Sequence, residues 1–489
     1  MHTARASFDE VARWQQDLLH RLSSGACTVI VAATLLAQVM FRSKHAGYTD
    51  AAACGYIAQE LTEPCPSSGA EWAAASEHIF QPSAVVSVLN VFGGNVLIPT
   101  SLDYITGCDD SQRVLAEEIL LLCMPRCEFH VICPAMMAQG VLSIVRQDPN
   151  DNIAADLICY LVSDDALMSS NLAQVLQQRP RRPGSVQRFS ELSVYPHTLA
   201  PRRVLEPPFC VESCAMISQG AFAEVHNVRN AQDVAVAVKL SKKCMLRPAV
   251  LEIAVMTALS HDNVQPLRGF MLRPDGTIAI WMDLAQGTLY QEIYSGRDPF
   301  HLHYRDVWIH DAPVWYKRLE LALQVRYTLQ LAGGLQHLHE HHIICADLKP
   351  HNVLMYPDNV VKICDFGIAV HCRGNTAPHT AHYDVCTSTH RDINLVIRRF
   401  DTFSYEVDVW SLGIIMVEMA TGCNPLYQIE SAREDLLSAE IQAVLRGEDA
   451  LRCLGDATMR SLALRCLDYD PDTRITAQQL SSELSAATI

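Results

Sequence analysis

A short run of polar residues in an apolar frame constrains this chain more than anything else in it. Ile343-Ile344-Cys345-Ala346-Asp347-Leu348-Lys349-Pro350-His351-Asn352-Val353-Leu354 is followed by Asp365-Phe366-Gly367. A carboxylate, an amine two residues on, an amide five residues on and a second carboxylate before Phe-Gly are the groups that ATP-dependent phosphoryl transfer needs. In that chemistry Asp347 takes a hydroxyl proton and Lys349 meets the transferring phosphate. Asn352 and Asp365 offer oxygen donors suited to a hard cation such as Mg²⁺.

At 489 residues the chain is too long for one ordinary core, so two or three domains are expected. Its net charge of −16 argues against nonspecific nucleic-acid binding. The 18 cysteines are scattered and none forms a CxxC pair. Cys123, Cys127, Cys133, Cys244 and Cys364 lie in apolar runs, where thiols act as small buried hydrophobes. A reducing compartment, cytoplasmic or nuclear, is the expectation. The most apolar run, Ala26 to Phe41, is interrupted by Thr28, Thr34 and Gln38 and is too short for a membrane span.

Texture divides the chain in three. Residues 1–175 are rich in Ala, Leu and Val at helical spacing. Residues 176–207 include Gln177-Gln178-Arg179-Pro180-Arg181-Arg182-Pro183-Gly184-Ser185, a composition suited to an extended linker. From residue 208 to 489 short β-like runs come first and long helical ones follow.

Within this last region, Ile217-Ser218-Gln219-Gly220-Ala221-Phe222-Ala223-Glu224-Val225 reads as two strands joined by a glycine turn. Such a turn lets backbone N–H groups approach phosphates without Cβ interference. Val236-Ala237-Val238-Lys239 is an alternating strand that carries one lysine. Glu252 lies on an amphipathic helix with Ile253, Met256 and Leu259 in register. Ile278 to Asp283 is a further strand, and Asp408-Val409-Trp410-Ser411-Leu412-Gly413 looks like an anchoring helix.

Together these motifs resemble a eukaryotic-type Ser/Thr protein kinase, nearest to the cyclin-dependent kinases. The resemblance implies ATP and Mg²⁺ as cofactors and a protein as substrate. Ile217, Gly220, Val225, Ala237, Lys239, Glu252, Met282, Asp283, Ala285 and Leu354 then form the nucleotide site. Lys239 pairs with the α/β-phosphates and with Glu252. Met282 guards the back of the pocket, and the backbone of Asp283 and Ala285 holds the base between Ala237 and Leu354. The Asp-Leu-Lys-Pro-x-Asn form is that of Ser/Thr rather than Tyr kinases, and Ile368 after the Asp-Phe-Gly accompanies threonine preference.

Several positions depart from the family pattern. Only Gly220 remains of the three loop glycines. His-Arg-Asp is here Cys345-Ala346-Asp347, so the arginine that receives an activation-loop phosphate is missing. Its two usual helpers fall at Leu251 and Val370, which are also apolar. Activity independent of activation-loop phosphorylation is therefore expected. The Ala-Pro-Glu motif appears as Asp392-Ile393-Asn394. With Asn394 neutral, the usual salt bridge to the arginine at Arg474 is expected to become a hydrogen bond at best.

In the first region, residues 28–41 are apolar nearly all round, which marks a helix surrounded by others. Ala51 to Ile57, Val85 to Val91, Leu115 to Cys123 and Pro134 to Val145 are further helical runs. With the junction Ile98-Pro99-Thr100-Ser101-Leu102-Asp103-Tyr104-Ile105, this succession is similar to a cyclin. The Lys and Glu with which cyclins hold the kinase helix would fall near Glu60 and Val85, and neither matches. Leu246 to Ile253 aligns with the cyclin-binding helix of cyclin-dependent kinases.

The expected architecture is multidomain: an all-α cyclin-like domain over 1–175, a linker over 176–207 and an α+β bilobal kinase fold over 208–489. The expected partners are a protein substrate and an intramolecular contact between the cyclin-like domain and the kinase helix. No specific nucleic acid and no membrane are expected. The rival reading is a pseudokinase scaffold that binds partners without turnover.

Overall fold

The computed structural model describes residues 8–146, 215–294, 319–372, 390–396, 403–426 and 456–487, with short breaks, together with Ala155 and Ile158. The expected linker and Cys127, Cys133 and Cys244 lie outside the described residues. The chain divides into two compact units, one built mainly from residues up to Val204 and the other mainly from Leu205 onward.

The first unit contains α1 (Phe8–Arg21), α2 (Ala26–Ser43), α3 (Tyr48–Thr62), α4 (Gly69–Ala75), α5 (Pro82–Val91), α6 (Asp110–Cys123) and α7 (Pro134–Val145). The short runs expected around Ala51 and Val85 prove longer, because small residues and an N-terminal proline extend α3 and α5. Every residue of α3 from Ala51 to Leu61 is buried, with α1, α2 and α5 packed around it. A helix this enclosed must satisfy its polar groups internally. Gln15 Nε2 donates to Ala51 O at 2.7 Å, and Gln59 Oε1 accepts from Trp72 Nε1 at 2.7 Å. Gly55 is required here, since a Cβ would come within 2.7 Å of the Trp72 ring.

A second apolar cluster joins Ile30 and Ala33 of α2 to Ala116, Ile119 and Leu120 of α6 and to Met137 and Val141 of α7; Ala155 and Ile158 belong to it too. Of the expected junction, Thr100, Asp103 and Ile105 are described. The Thr100 N–H and hydroxyl both donate to Asp103 Oδ2, at 2.6 and 3.0 Å. Among the described residues no helix is long and apolar enough to cross a membrane.

The second unit opens with β1 (Ala215–Gln219), β2 (Ala223–Arg229), β3 (Ala235–Ser241), α8 (Leu246–Ala258), β4 (Gly269–Leu272) and β5 (Ile278–Asp283). The strands form one sheet in the order β1-β2-β3-β5-β4. There follow β6 (Gly287–Thr288), α9 (Leu289–Tyr294), α10 (Leu321–Glu340), β7 (Ile343–Ile344), β8 (Val353–Tyr356), β9 (Val360–Ile363) and β10 (Val370–His371). The chain closes with α11 (Ile393–Val396), α12 (Glu406–Thr421), α13 (Ala457–Cys466) and α14 (Ala477–Ala487). Helix α12 is buried from Val407 to Thr421 and forms the axis of the helical part, with α10 and α13 packed against it. A sheet-rich part thus precedes a helix-rich one, as the order of apolar periods in the sequence implies.

Candidate active site

Lys239 sits in the middle of β3, opposite Val225 on β2 and Ile280 on β5. Pairing on both sides fixes the strand, so the direction of the side chain is set by the pleat. Its ammonium lies 2.7 Å from Glu252 Oε2 and 2.8 Å from Asp365 Oδ1. Burial alone would depress the lysine, but the two carboxylates overcome it and hold it above its ordinary value. Burial raises the Glu252 carboxyl despite its lysine partner. Burial would raise Asp365 too, yet Lys239 and then Lys349 hold it below the usual carboxylate value. One ammonium therefore ties a strand, a helix and the Asp-Phe-Gly turn to a single point.

Gly367 fixes that turn against α8. A Cβ there would lie 3.1 Å from Pro248 Cβ, tighter than ordinary contact. Phe366 is wholly buried beside it in sequence.

Asp347 and its neighbours form a second polar group on the segment between β7 and β8. Lys349 Nζ lies 2.7 Å from Asp347 Oδ2. Asn352 Nδ2 donates to Asp347 O at 2.8 Å and to Asp347 Oδ2 at 3.0 Å, which leaves its own amide oxygen for another partner. The Cys364 N–H donates to Asn352 O at 2.9 Å, so the segment that carries Asp365 is tied to the one that carries Asp347.

What holds this segment is Asp408 of α12, 1% exposed. Its carboxylate accepts from the Cys345 and Ala346 N–H groups at 2.8 and 2.9 Å, and His339 Nε2 lies 3.0 Å away. Ala346 takes a left-handed backbone, φ 64°, which costs an L-residue about 1–2 kcal/mol. The paired hydrogen bonds to a buried carboxylate offset that cost. The sequence marked Asp408 as part of an anchoring helix but gave no sign of this double contact, nor of His339.

The remaining expected nucleotide residues fall on adjoining strands. Ala237 faces Met282 across β3 and β5, and both are 7% exposed. Val225 faces Ser218 and Lys239 across its two neighbours, while Ile217 is at an irregularity in β1 and half exposed. The Gly220 N–H donates to Ala223 O at 2.8 Å, closing the β1–β2 turn with a single glycine. Leu354 lies on β8 opposite Thr288, at the foot of the hinge that carries Asp283 and Ala285.

One expectation is corrected. Arg474 does not lose its salt bridge: its guanidinium forms a fully buried ion pair with Asp392. The carboxylate comes from two residues earlier than the family pattern puts it. Asn394 supports it by donating to Asp392 Oδ1 at 3.1 Å and to Tyr469 O at 3.0 Å. Sequence reading also missed a buried network around Glu418, which accepts from the Tyr294 hydroxyl at 2.7 Å and lies 2.8 Å from His390 Nε2.

The donor set fits Mg²⁺. Among the described residues no cluster of three or more His, Cys, Asp or Glu could hold a metal. Magnesium asks for less, one or two carboxylates with phosphates and water completing the shell, and Asp365 with Asn352 supplies that share.

A buried lysine–glutamate pair beside an Asp-Phe-Gly turn, facing a separate Asp-Lys-Asn group, defines a phosphotransferase of the kinase class. A family model for the protein kinase domain matches residues 211–484. The chain belongs to the protein kinase family. It is a protein serine/threonine kinase, and ATP and Mg²⁺ are its cofactors. It is 27% identical over 277 residues to a probable cell division protein kinase of Encephalitozoon cuniculi, covering 54% of this chain and 93% of that protein. It is 24% identical over 272 residues to an Aurora kinase of Eremothecium gossypii, covering 54% of this chain and 66% of the relative. To mitogen-activated protein kinase 9 of Arabidopsis thaliana the identity is 28% over 260 residues, 47% of each chain.

Proposed function

We propose that the protein phosphorylates protein hydroxyls through Asp347 and that its first unit is a tethered cyclin-like regulator. The observation that carries the catalytic part is the contact of Lys239 with both Glu252 and Asp365. Asp347 orients the substrate hydroxyl and accepts its proton. Lys349, held on Asp347, offsets charge that develops on the transferring group. Lys239 positions the nucleotide phosphates, and Glu252 fixes Lys239. Asn352 and Asp365 would hold Mg²⁺, which would supply positive charge to offset that of the phosphates.

The cyclin-like reading is supported by α3, a helix enclosed by its neighbours, and by the second group of helices, α6 and α7. Glu60 and Val85, where the cyclin lysine and glutamate would fall, match neither residue and are buried, so the proposed contact with the kinase helix is assigned to other residues of the first unit. Helix α8 is apolar from Pro248 to Met256 apart from Glu252, and a regulatory partner for it is supported by that composition. Independence of activation-loop phosphorylation is supported by the apolar residues at Leu251, Ala346 and Val370. The buried thiols suit a reducing cytoplasm or nucleus.

Radiolabel transfer from Mg-ATP to a protein substrate, compared between the native chain and Asp347→Asn, tests the catalytic assignment. The variant is expected to bind nucleotide and lose at least about 100-fold in rate, as removal of a positioned base does. Retained turnover would take Asp347 out of its role.

A further inference from the structure

Behind the hinge that follows β5, two side chains converge on one backbone carbonyl and a third grips the same residue. The Tyr356 hydroxyl, at the end of β8, lies 3.0 Å from Asp283 O and 2.7 Å from Gln265 Oε1, its single proton shared between them. Gln265 Nε2 lies 3.4 Å from the same Asp283 carbonyl. Gln265 is wholly buried, and its backbone N–H donates to Ile363 O at 2.9 Å. Arg268 holds the Asp283 carboxylate at two points, 2.8 and 2.6 Å, so the residue is gripped at both its side chain and its backbone. A carbonyl oxygen has two lone pairs. Here a phenol proton and an amide proton both approach it from the protein. Burial pushes the Tyr356 phenol well above its ordinary value, so it remains a donor at any working pH.

We infer that this kinase does not read the 6-amino group of adenine through Asp283, and that Tyr356 and Gln265 set this by occupying its carbonyl. Base recognition then falls to the Ala285 N–H, facing N1, and to apolar contact with Ala237 and Leu354. An amino group brought to an acceptor that already serves two donors replaces a protein hydrogen bond rather than adding one. The inference rests on the reading that ATP lies against this hinge.

Calorimetric binding to the full chain, with Mg²⁺, of ATP, purine riboside triphosphate (no 6-amino group) and 1-deaza-ATP (no N1 acceptor) tests it. The first two are expected to bind within about twofold of each other and the third at least about fivefold more weakly, within the range of one hydrogen bond. In Tyr356→Phe the carbonyl is released, and ATP should gain about three- to tenfold over purine riboside triphosphate. Gln265→Met, read the same way, serves if the tyrosine variant fails to fold. A fivefold or greater preference of the native chain for ATP over purine riboside triphosphate overturns the inference, as does a ratio unmoved in a folded variant. Failure of all three nucleotides to bind would remove the nucleotide site itself and the inference with it.

Discussion

Arg474 and Asp392 form a buried ion pair two residues away from where the family pattern seats the acidic partner. Arg474 also donates to Glu406 O at 2.8 Å and to Asp468 O at 3.0 and 2.8 Å, and stacks 5.1 Å from the Trp410 ring centre. Among the described residues no other carboxylate forms an ion pair with it. Asp392→Ala leaves a buried guanidinium unpaired, which costs about 3–5 kcal/mol. Asn394→Ala removes only supporting hydrogen bonds and should cost about 1 kcal/mol. Urea denaturation of the two variants checks the order, and equal costs would show that Asn394 holds the arginine after all.

This exchange shows what sequence reading reaches and what it does not. Lys239, Glu252, Asp347, Asn352 and Asp365 were legible because each stands in a motif that resembles the protein kinase pattern; strand and helix periods spoke only for the places of Lys239 and Glu252. The enclosure of α2 was legible because residues 28–41 are apolar nearly all round; that of α3 was not, because its buried run carries Gln59 and Glu60. Asp392 was missed because a carboxylate can reach one guanidinium from neighbouring positions, and only the path of the backbone decides which. The hold of Asp408 on the Cys345 and Ala346 amides was missed for a different reason. The acceptor lies about sixty residues away, and its partners are N–H groups that every residue has.

Phosphatase treatment should leave the activity of the native chain unchanged. Where other kinases place arginines to receive a phosphate, Ala346 and Val370 pack on a cluster of Ile344, Cys372, Phe403 and Val407. Leu251, at the third such position, is 2% exposed. An apolar cluster gives a phosphate no charge-assisted hydrogen bond. Kinase assays before and after treatment, with removal of phosphate checked by mass, decide this. A loss of tenfold or more would show that a cation outside these positions receives the phosphate.

Stability should fall as the pH drops below about 6.5, the ordinary histidine value. The rings of His261 and His337 stack at 5.1 Å, and those of His337 and His341 are 4.4 Å apart. Burial holds His261 below the ordinary value, with Lys362 adding to it and Asp262 and Glu340 opposing. Burial, then His341 and His261, do the same for His337, with Glu340 opposing. A depressed histidine binds fewer protons folded than unfolded, so stability rises with pH up to the unfolded value and is lost below it. Urea midpoints at pH 7.5 and 5.5 should differ in that direction, and His337→Gln should shrink the difference. A difference that the substitution leaves untouched would place the pH response elsewhere.

The proposed tie between the two units predicts a dependence on concentration that an uncut chain cannot show. A short flexible tether holds its ends at an effective concentration of about 1 mM, so a regulator joined in this way stays engaged at any dilution. A protease site placed within residues 176–207 removes the tether without touching either unit's described residues. After cleavage the two parts associate only as their own affinity allows. Activity per molecule should then fall on dilution into the nanomolar range and return when the separated first unit is added in micromolar excess. Uncut protein carried through the same dilution should hold its activity throughout. Cut protein that stays fully active at every concentration would mean that Glu252 is kept against Lys239 by the kinase unit alone, and the first unit would then lose its regulatory role while Asp347 kept its catalytic one.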